Sequence, residues 1–241
     1  MKIGIITDIH SNVQALNKIL KEFEKLKVDN IICCGDIIGI GINPEETVQE
    51  LLKRKEILIA VRGNHEQYLL NGLPNEVHNN KRNMCDEEIA NHKWNQSKLS
   101  KQSIEFLRNM KLFENIEIEG KKIYICHYPQ NRNGTYKKHI KNSNINELKE
   151  LFRGKQDDIF IFGHTHTYSI INEENKWYIN TGSLGCPMNS NIAKAGLLEI
   201  NNEKITFSSI NIQYNVKEII KEFNKLKFPF YKKILHIFYG M

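Results

Sequence analysis

Short apolar runs alternate with polar packets at a fixed interval along the first quarter of this chain. Ile3 to Ile6, Ile31 to Cys34 and Ile57 to Val61 each lead into such a packet: Asp8-x-His10, Gly35-Asp36 and Gly63-Asn64-His65. Asp8 to Asp36 and Asp36 to Asn64 are both 28 residues apart, close to the ~30 residues of one strand–helix–strand repeat. Apolar runs of four or five residues rich in isoleucine are too short for helices and suit buried strands. Strands joined by such repeats lie parallel, so their carboxyl ends share one rim, where open α/β sheets bind ligands. The spacing thus predicts a fold that delivers Asp, Asp and Asn to one place. His127 and Gly163-His164-Thr165-His166 also follow apolar runs, and extend the set to seven potential metal ligands.

Periodicity fills in the rest. Ser11 to Val28 reads as an amphipathic helix, its apolar positions Val13, Leu16, Ile19, Leu20, Phe23 and Leu26 stepping at three and four residues, with Ser11 or Asn12 as N-cap. Pro44 opens a helix to Arg54. From Glu66 to Lys111 the pattern changes to a helical excursion with Asn-rich breaks and stretches at Asp86–Gln96 and Lys101–Met110, placed to sit over the strand ends. Strands resume at Asn115–Ile118 and Lys121–Cys126 around the turn Glu119-Gly120. A polar loop (Asn131 to Asn144), a helix (Ile145 to Phe152) and a strand (Ile159 to Phe162) follow. Tyr168–Ile171, Lys176–Ile179, Ala195–Ile200 and Ile205–Ile212 read as strands of an antiparallel sheet, before a last helix at Val216–Leu226 and an aromatic tail. With no repeat or linker, residues 1–241 are expected to form one domain, with 66–111 as a cap-like insertion.

Composition narrows the class. At 241 residues, 40% apolar and 26% charged, the chain is ordinary for a soluble globular protein. Its net charge of +6 is spread over helix faces through Lys18, Lys21, Lys25 and Lys27, which does not indicate nucleic acid. The N-terminal apolar run is too short for a signal peptide, and no window reaches the ~20 apolar residues of a membrane span. Five cysteines are an odd number without CxxC spacing; Cys33, Cys34 and Cys126 fall in strand-like runs, as buried reduced thiols of a cytoplasmic protein.

The donor chemistry points to a pair of divalent ions. Such a pair needs a bridging carboxylate, further O and N ligands, and open positions for water and substrate. Asp36 suits the bridge, because its two oxygens can face two ions and the preceding glycine allows close approach. Asp8 and His10 can turn onto one ion; His164 and His166 share that spacing, with Gly163 permitting the turn. Asn64 offers a neutral carbonyl oxygen. The O and N set without thiolate favours Mn, Fe, Co, Ni or Zn over soft-metal or Mg-only sites, with Mn favoured for activity. Taken singly the packets are weak: Asp-x-His and Gly-Asp are common, and His127 alone would be a core histidine. Their order, each after a strand, carries the inference.

With these packets the chain resembles the calcineurin-like metallophosphoesterase superfamily along nearly its whole length, and looks most similar to the small bacterial branch of phosphodiesterases and diadenosine tetraphosphatases. Asn180-Thr181-Gly182-Ser183-Leu184-Gly185 matches that branch's turn after the last histidine packet. The resemblance implies an α/β (α+β) fold, a four-layer αββα sandwich of two mixed sheets with loops at one edge carrying the site. It implies one metal at Asp8, His10, Asp36 and His166 and a second at Asp36, Asn64, His127 and His164. His65 belongs to neither set and is expected to be catalytic, protonating the leaving oxygen or stabilising phosphoryl charge as a hydroxide held between the metals attacks phosphorus in line.

Substrate choice must be written between the packets. Arg132, Lys137, Lys138 and His139 can reach further phosphates of a small, nucleotide-type substrate such as a dinucleoside polyphosphate; a solvated loop is the plainer alternative. Tyr68, Arg82, His92 and Trp94 can stack a base or cap the site, although ordinary helix packing is favoured; His78 and His92 lack ligand spacing and read as bystanders. Cys186-Pro187 departs from the polar or basic residue expected there from the resemblance. The tail (Phe228, Phe230, Tyr231, Phe238, Tyr239) reads as core cover, or as the contact of a homo-oligomer. A nuclease would need a broad basic, aromatic-lined groove, which this charge pattern does not offer. A non-catalytic scaffold would have lost ligands, and here all seven and His65 are present.

Overall fold

The three apolar runs become parallel strands in a computed structural model that describes residues 1–74, 83–188, 190–201 and 204–241. β1 (Lys2–Ile6), β2 (Asn30–Cys33) and β3 (Ile57–Ala60) lie side by side. Between them run α1 (Val13–Leu26) and α2 (Pro44–Leu52). Asn12 is the cap of α1, its side chain accepting from the Ala15 N–H at 3.0 Å. Pro44 opens α2, where its missing N–H costs nothing. α1 buries Ala15, Leu16, Ile19, Leu20 and Phe23 on one face, each large side chain contributing about 1.5–3 kcal/mol.

Among the described residues the excursion holds three helices, α3 (Asn64–Asn71), α4 (Asp86–Gln96) and α5 (Lys101–Asn109). α3 begins on the ligand packet itself, so the helix starts earlier than the sequence pattern indicates. Arg82, His78 and the Asn79-Asn80 break lie outside the described residues. The second half supplies β4 (Phe113–Ile118), β5 (Lys121–Cys126), α6 (Ile145–Leu151), β6 (Ile159–Ile161), β7 (Tyr168–Glu173) and β8 (Lys176–Thr181). β9 (Ile192–Asn201), β10 (Lys204–Gln213), α7 (Val216–Leu226) and α8 (Tyr231–Tyr239) complete the chain.

Two mixed five-stranded sheets result, in the orders β10-β9-β1-β2-β3 and β4-β5-β6-β8-β7. The late strands do not form one antiparallel sheet. β9 and β10 pair antiparallel with each other, and β9 returns to lie antiparallel to β1. β5, β6 and β8 run parallel, with antiparallel β4 and β7 at the edges. Strand alternation divides each sheet's side chains between two faces. Ile3, Ile5, Ile32, Ile123, Ile125, Ile159, Ile161 and Ile179 fill the space between the sheets. Ile6 and Cys33 face outward to a core containing residues of α1, α2, α5, α7 and α8. Tyr124, Phe160 and Tyr178 face the other way onto Leu148 and Leu151 of α6. The layers are therefore helix, sheet, sheet, helix.

The aromatic tail is the helix α8, which sequence periodicity does not mark. Phe228, Ile234 and Leu235 are buried in the first core, as core cover requires, while Phe238 reaches the rim of the sheets. Trp94 of α4 stacks on Phe228 at 4.9 Å, which is helix packing. Among the described residues no helix is long and apolar enough to cross a membrane.

Candidate metal centre

The seven potential ligands meet where the two sheets share an edge. Asp8 and His10 follow β1, Asp36 follows β2, and Asn64 is the first residue of α3. His127 directly follows β5, and His164 and His166 lie between β6 and β7. The loops brace one another through the backbone: Asp8 N–H donates to the Gly35 carbonyl at 3.0 Å, His10 N–H to Asp36 at 2.9 Å, and Gly163 N–H to His127 at 2.8 Å. The Asn180–Gly185 turn closes the frame. Asn180 Nδ2 donates to the Gly163 carbonyl at 2.9 Å, and the Ser183 hydroxyl to the Asp8 carbonyl at 2.8 Å.

Five of the seven ligand candidates hold a left-handed backbone: Asp8 (φ 53°), His10 (48°), Asp36 (51°), His164 (70°) and His166 (55°). For residues with a Cβ this conformation costs on the order of 1–2 kcal/mol each, and such strain concentrates at functional sites. Gly163 is not left-handed, so it does not serve the turn in the way its sequence context indicates. It is required by proximity: a Cβ there would run into Thr7 Oγ1 and Asp8 Oδ2. Gly63 likewise lets its backbone approach the Asp36 carboxylate.

The donor atoms fall into two groups that share Asp36. In one, His127 Nε2, His164 Nδ1 and the Asn64 Oδ1 lie 3.0–3.2 Å from one another, with Asp36 Oδ2 3.3 Å from His127 Nε2. In the other, His10 Nε2 is 2.9 Å from His166 Nε2, which is 3.3 Å from Asp8 Oδ1; Asp36 Oδ2 is 3.8 Å from His10 Nε2. His127 Nδ1 contacts the Cys34 carbonyl at 2.7 Å; donation there leaves the Nε2 lone pair facing the cluster, an arrangement that metal-binding histidines share. Atoms each ~2.1 Å from a common ion stand about 3 Å apart. Donors at that spacing share either a proton or a metal ion, and the residue types present fit divalent ions.

Electrostatics agree. Burial pushes Asp8 up, but His166 and His127 more than reverse it, and the carboxyl is held well below the usual carboxylate range. Asp36 is held low in the same way, against its burial, by His127 and His65. Burial, then His166, lower His10 to about 4, leaving it neutral. Burial also opposes charge on His127, yet Asp36 carries it up to about 9; charge that draws a proton so strongly draws a metal ion too. Ligands must bind deprotonated, and both carboxylates and His10 already are.

Several neighbours escape sequence reasoning. The Glu66 carboxylate accepts four backbone N–H bonds, from Asp36 (2.9 Å), Ile37 (2.9 Å), Ile38 (3.2 Å) and Gly63 (2.7 Å). The last is the reach-back of an N3 glutamate to its helix cap, a signal readable in Gly63-x-x-Glu66. Burial, then Asp36, push its carboxyl up to about 7. Tyr136 stacks on His164, ring centroids 5.1 Å apart. Cys186 brings a buried thiol near His10 and His166, although burial pushes that thiol well up.

His65 stands at the edge of the cluster, its Nε2 4.0 Å from Asp36 Oδ2, and its N–H donates to Asp36 Oδ1 at 2.9 Å. His92, which reads as a bystander in sequence, packs its ring 5.1 Å from that of His65. The basic loop divides. His139 and Lys141 line the cavity over the donor cluster, of about 260 Å³. Lys137 donates to the Leu151 carbonyl at 2.5 Å, and with Lys138 lines a separate cleft beside α6. Arg132 is exposed in the same loop.

Comparison with known proteins matches these observations. The calcineurin-like phosphoesterase superfamily domain matches residues 1–203. An uncharacterized protein of Methanocaldococcus jannaschii is 27% identical, over 94% of this chain and 93% of that one. Phosphodiesterase YfcE of Escherichia coli is 22% identical, over 91% and 97%. The crystal structure of hypothetical protein PH1004 from Pyrococcus horikoshii superposes with a TM-score of 0.81 at 19% identity, covering 100% of this chain and 98% of that one. With its two-sheet frame, its shared edge of ligand-type residues and a family match over most of its length, the chain belongs to the calcineurin-like phosphoesterase superfamily.

Proposed function

We propose that this protein is a binuclear metal-dependent phosphoesterase that hydrolyses phosphodiester or phosphoanhydride bonds of nucleotide-type substrates, dinucleoside polyphosphates among them. The observation that carries this reading is the position of Asp36, whose Oδ2 faces His127 at 3.3 Å and His10 at 3.8 Å. Asp8, His10, Asp36 and His166 would hold one divalent ion and Asp36, Asn64, His127 and His164 the other, with manganese favoured. Ions held there would activate water near neutral pH and offset charge on phosphoryl oxygens. His65 lines the cavity over the cluster and gives its proton to the leaving oxygen. Lys141, on the cavity wall, contributes positive charge toward the retained phosphate, and His139 beside it, held neutral by burial and by Lys141, offers a hydrogen bond. The activity named for the Escherichia coli relative, phosphodiesterase, supports diester cleavage. A cavity of about 260 Å³ walled by Met188, Ile237 and Phe238 favours a small substrate over a polynucleotide.

The test is hydrolysis of bis-p-nitrophenyl phosphate with added Mn²⁺, followed by a panel of dinucleoside polyphosphates, cyclic nucleotides and simple monoesters. Asp36→Ala is expected to lower hydrolysis at least about 100-fold, the upper end of the ~10–100-fold that loss of an outer-sphere partner costs. Activity that survives Asp36→Ala would sink the two-metal reading.

A further inference from the structure

A second cavity, of about 430 Å³, opens beside the donor cluster between α3, α4 and the C-terminal helix α8. The two cavities share His65, Ile40, Ile237 and Phe238 as common wall. We propose that the second cavity receives the planar, nucleoside-type part of the leaving group, so that substrate spans both spaces with its scissile bond at His65. The proposal rests on the phosphoesterase reading of the donor cluster and adds to it the class of leaving group and the residues that select it.

Geometry sets the direction. His65 lies between Asp36, 4.0 Å from its Nε2, and the rings of Tyr68 and His92, whose centroids are 5.6 and 5.1 Å from its own. Because His65 is a wall of both cavities, a substrate with its phosphate over the donor cluster has room to extend past that ring into the second cavity. Tyr68 and His92 meet edge to face at 5.3 Å, and Met84, Phe230 and Phe238 complete a largely apolar and aromatic lining. Volume and lining match the pockets, roughly 300–1,000 Å³ and mostly apolar, that enclose small organic ligands.

Charge decides between a ring and a phosphate chain. Among the described residues the cavity's lining carries one acidic and one basic side chain, Glu88 and Lys233, amid a mostly apolar and aromatic wall. A cationic side chain, Lys141, lies on the other flank, in the first cavity. Phosphate thus belongs on the metal side and a neutral aromatic system on the α4–α8 side. Bases stack on aromatic side chains irrespective of sequence, so the pocket would select for a ring without naming the base.

The test has a readout independent of turnover. Protein loaded with Mn²⁺ is titrated with adenosine, and broadening of the base proton resonances by the paramagnetic ion is followed. Wild type is expected to broaden them. Met84→Trp, which fills the cavity, and Tyr68→Ala, which removes a stacking face, are each expected to weaken adenosine binding roughly tenfold and to raise KM for bis-p-nitrophenyl phosphate while Mn²⁺ content stays constant. Absence of broadening in wild type, or undiminished broadening in both variants, overturns the pocket assignment. Broadening without any hydrolysis would overturn the phosphoesterase reading and leave the ring pocket standing.

Discussion

At the scale of single residues, the candidate centre is a set of side chains delivered by unfavourable backbone. Asp8, His10, Asp36, His164 and His166 are left-handed, and the N–H groups and carbonyls of neighbouring loops hold them so. Sequence reveals the residue types at strand ends, and all seven ligand candidates do converge. It does not reveal backbone strain, because Asp and His carry no mark of the left-handed region in the way glycine does. His65 can be separated from its neighbours by experiment. It forms a triplet with His10 and Asp36 close enough to share an ion, so its role must be distinguished from that of a ligand. His65→Ala is expected to lower kcat by about 10²–10⁴-fold, the range of general acid catalysis, with bound metal unchanged by elemental analysis. A parallel loss of metal would reassign His65 to the ligand shell.

At the scale of elements, what the sequence conceals is mutual placement. The strands of the first half are legible because each is a short β-branched run ending in a packet. β9 and β10 are legible as strands, but not as neighbours of β1, since pairing across almost 200 residues leaves no local pattern. His92 is legible as a residue that can cap the site but not as a neighbour of His65, to which only the packing of α4 near α3 brings it. α8 escapes because its aromatic residues serve two surfaces, Ile234 and Leu235 facing the core and Phe238 the site. Two substitutions test these elements. Glu66→Gln replaces an oxygen that two N–H groups share with an amide nitrogen that cannot accept, at a cost of about 1–3 kcal/mol; thermal melting should fall by several degrees, and metal occupancy with it. Leu235→Ala, in the buried face of α8, should lose about 2–5 kcal/mol. An unchanged melting curve would mean that α8 is a loose appendage rather than part of the core.

At the scale of the whole molecule, the donor cluster draws on both sheets. Asp8, His10, Asp36 and Asn64 come from the first, and His127, His164 and His166 from the second. Ligands that bind only the folded form stabilise it by mass action, about 2.7 kcal/mol at a hundredfold excess over Kd. Each saturated metal is then expected to raise the melting temperature by roughly 5–10 °C in a chain of this size, and chelation to reverse it; a melting temperature indifferent to Mn²⁺ and chelator would argue against a bound ion. A donor cluster drawn from both sheets also implies a schedule for synthesis. The last ligand candidate, His166, leaves the ribosome well after the first four, and β1 gains its antiparallel neighbour only when β9 has been made. A nascent chain displaying Asp8 to His65 therefore holds half a chelate with no wall behind it. Metal binding at this cluster would then be a late event, a seal set on a finished molecule rather than a seed around which it grows.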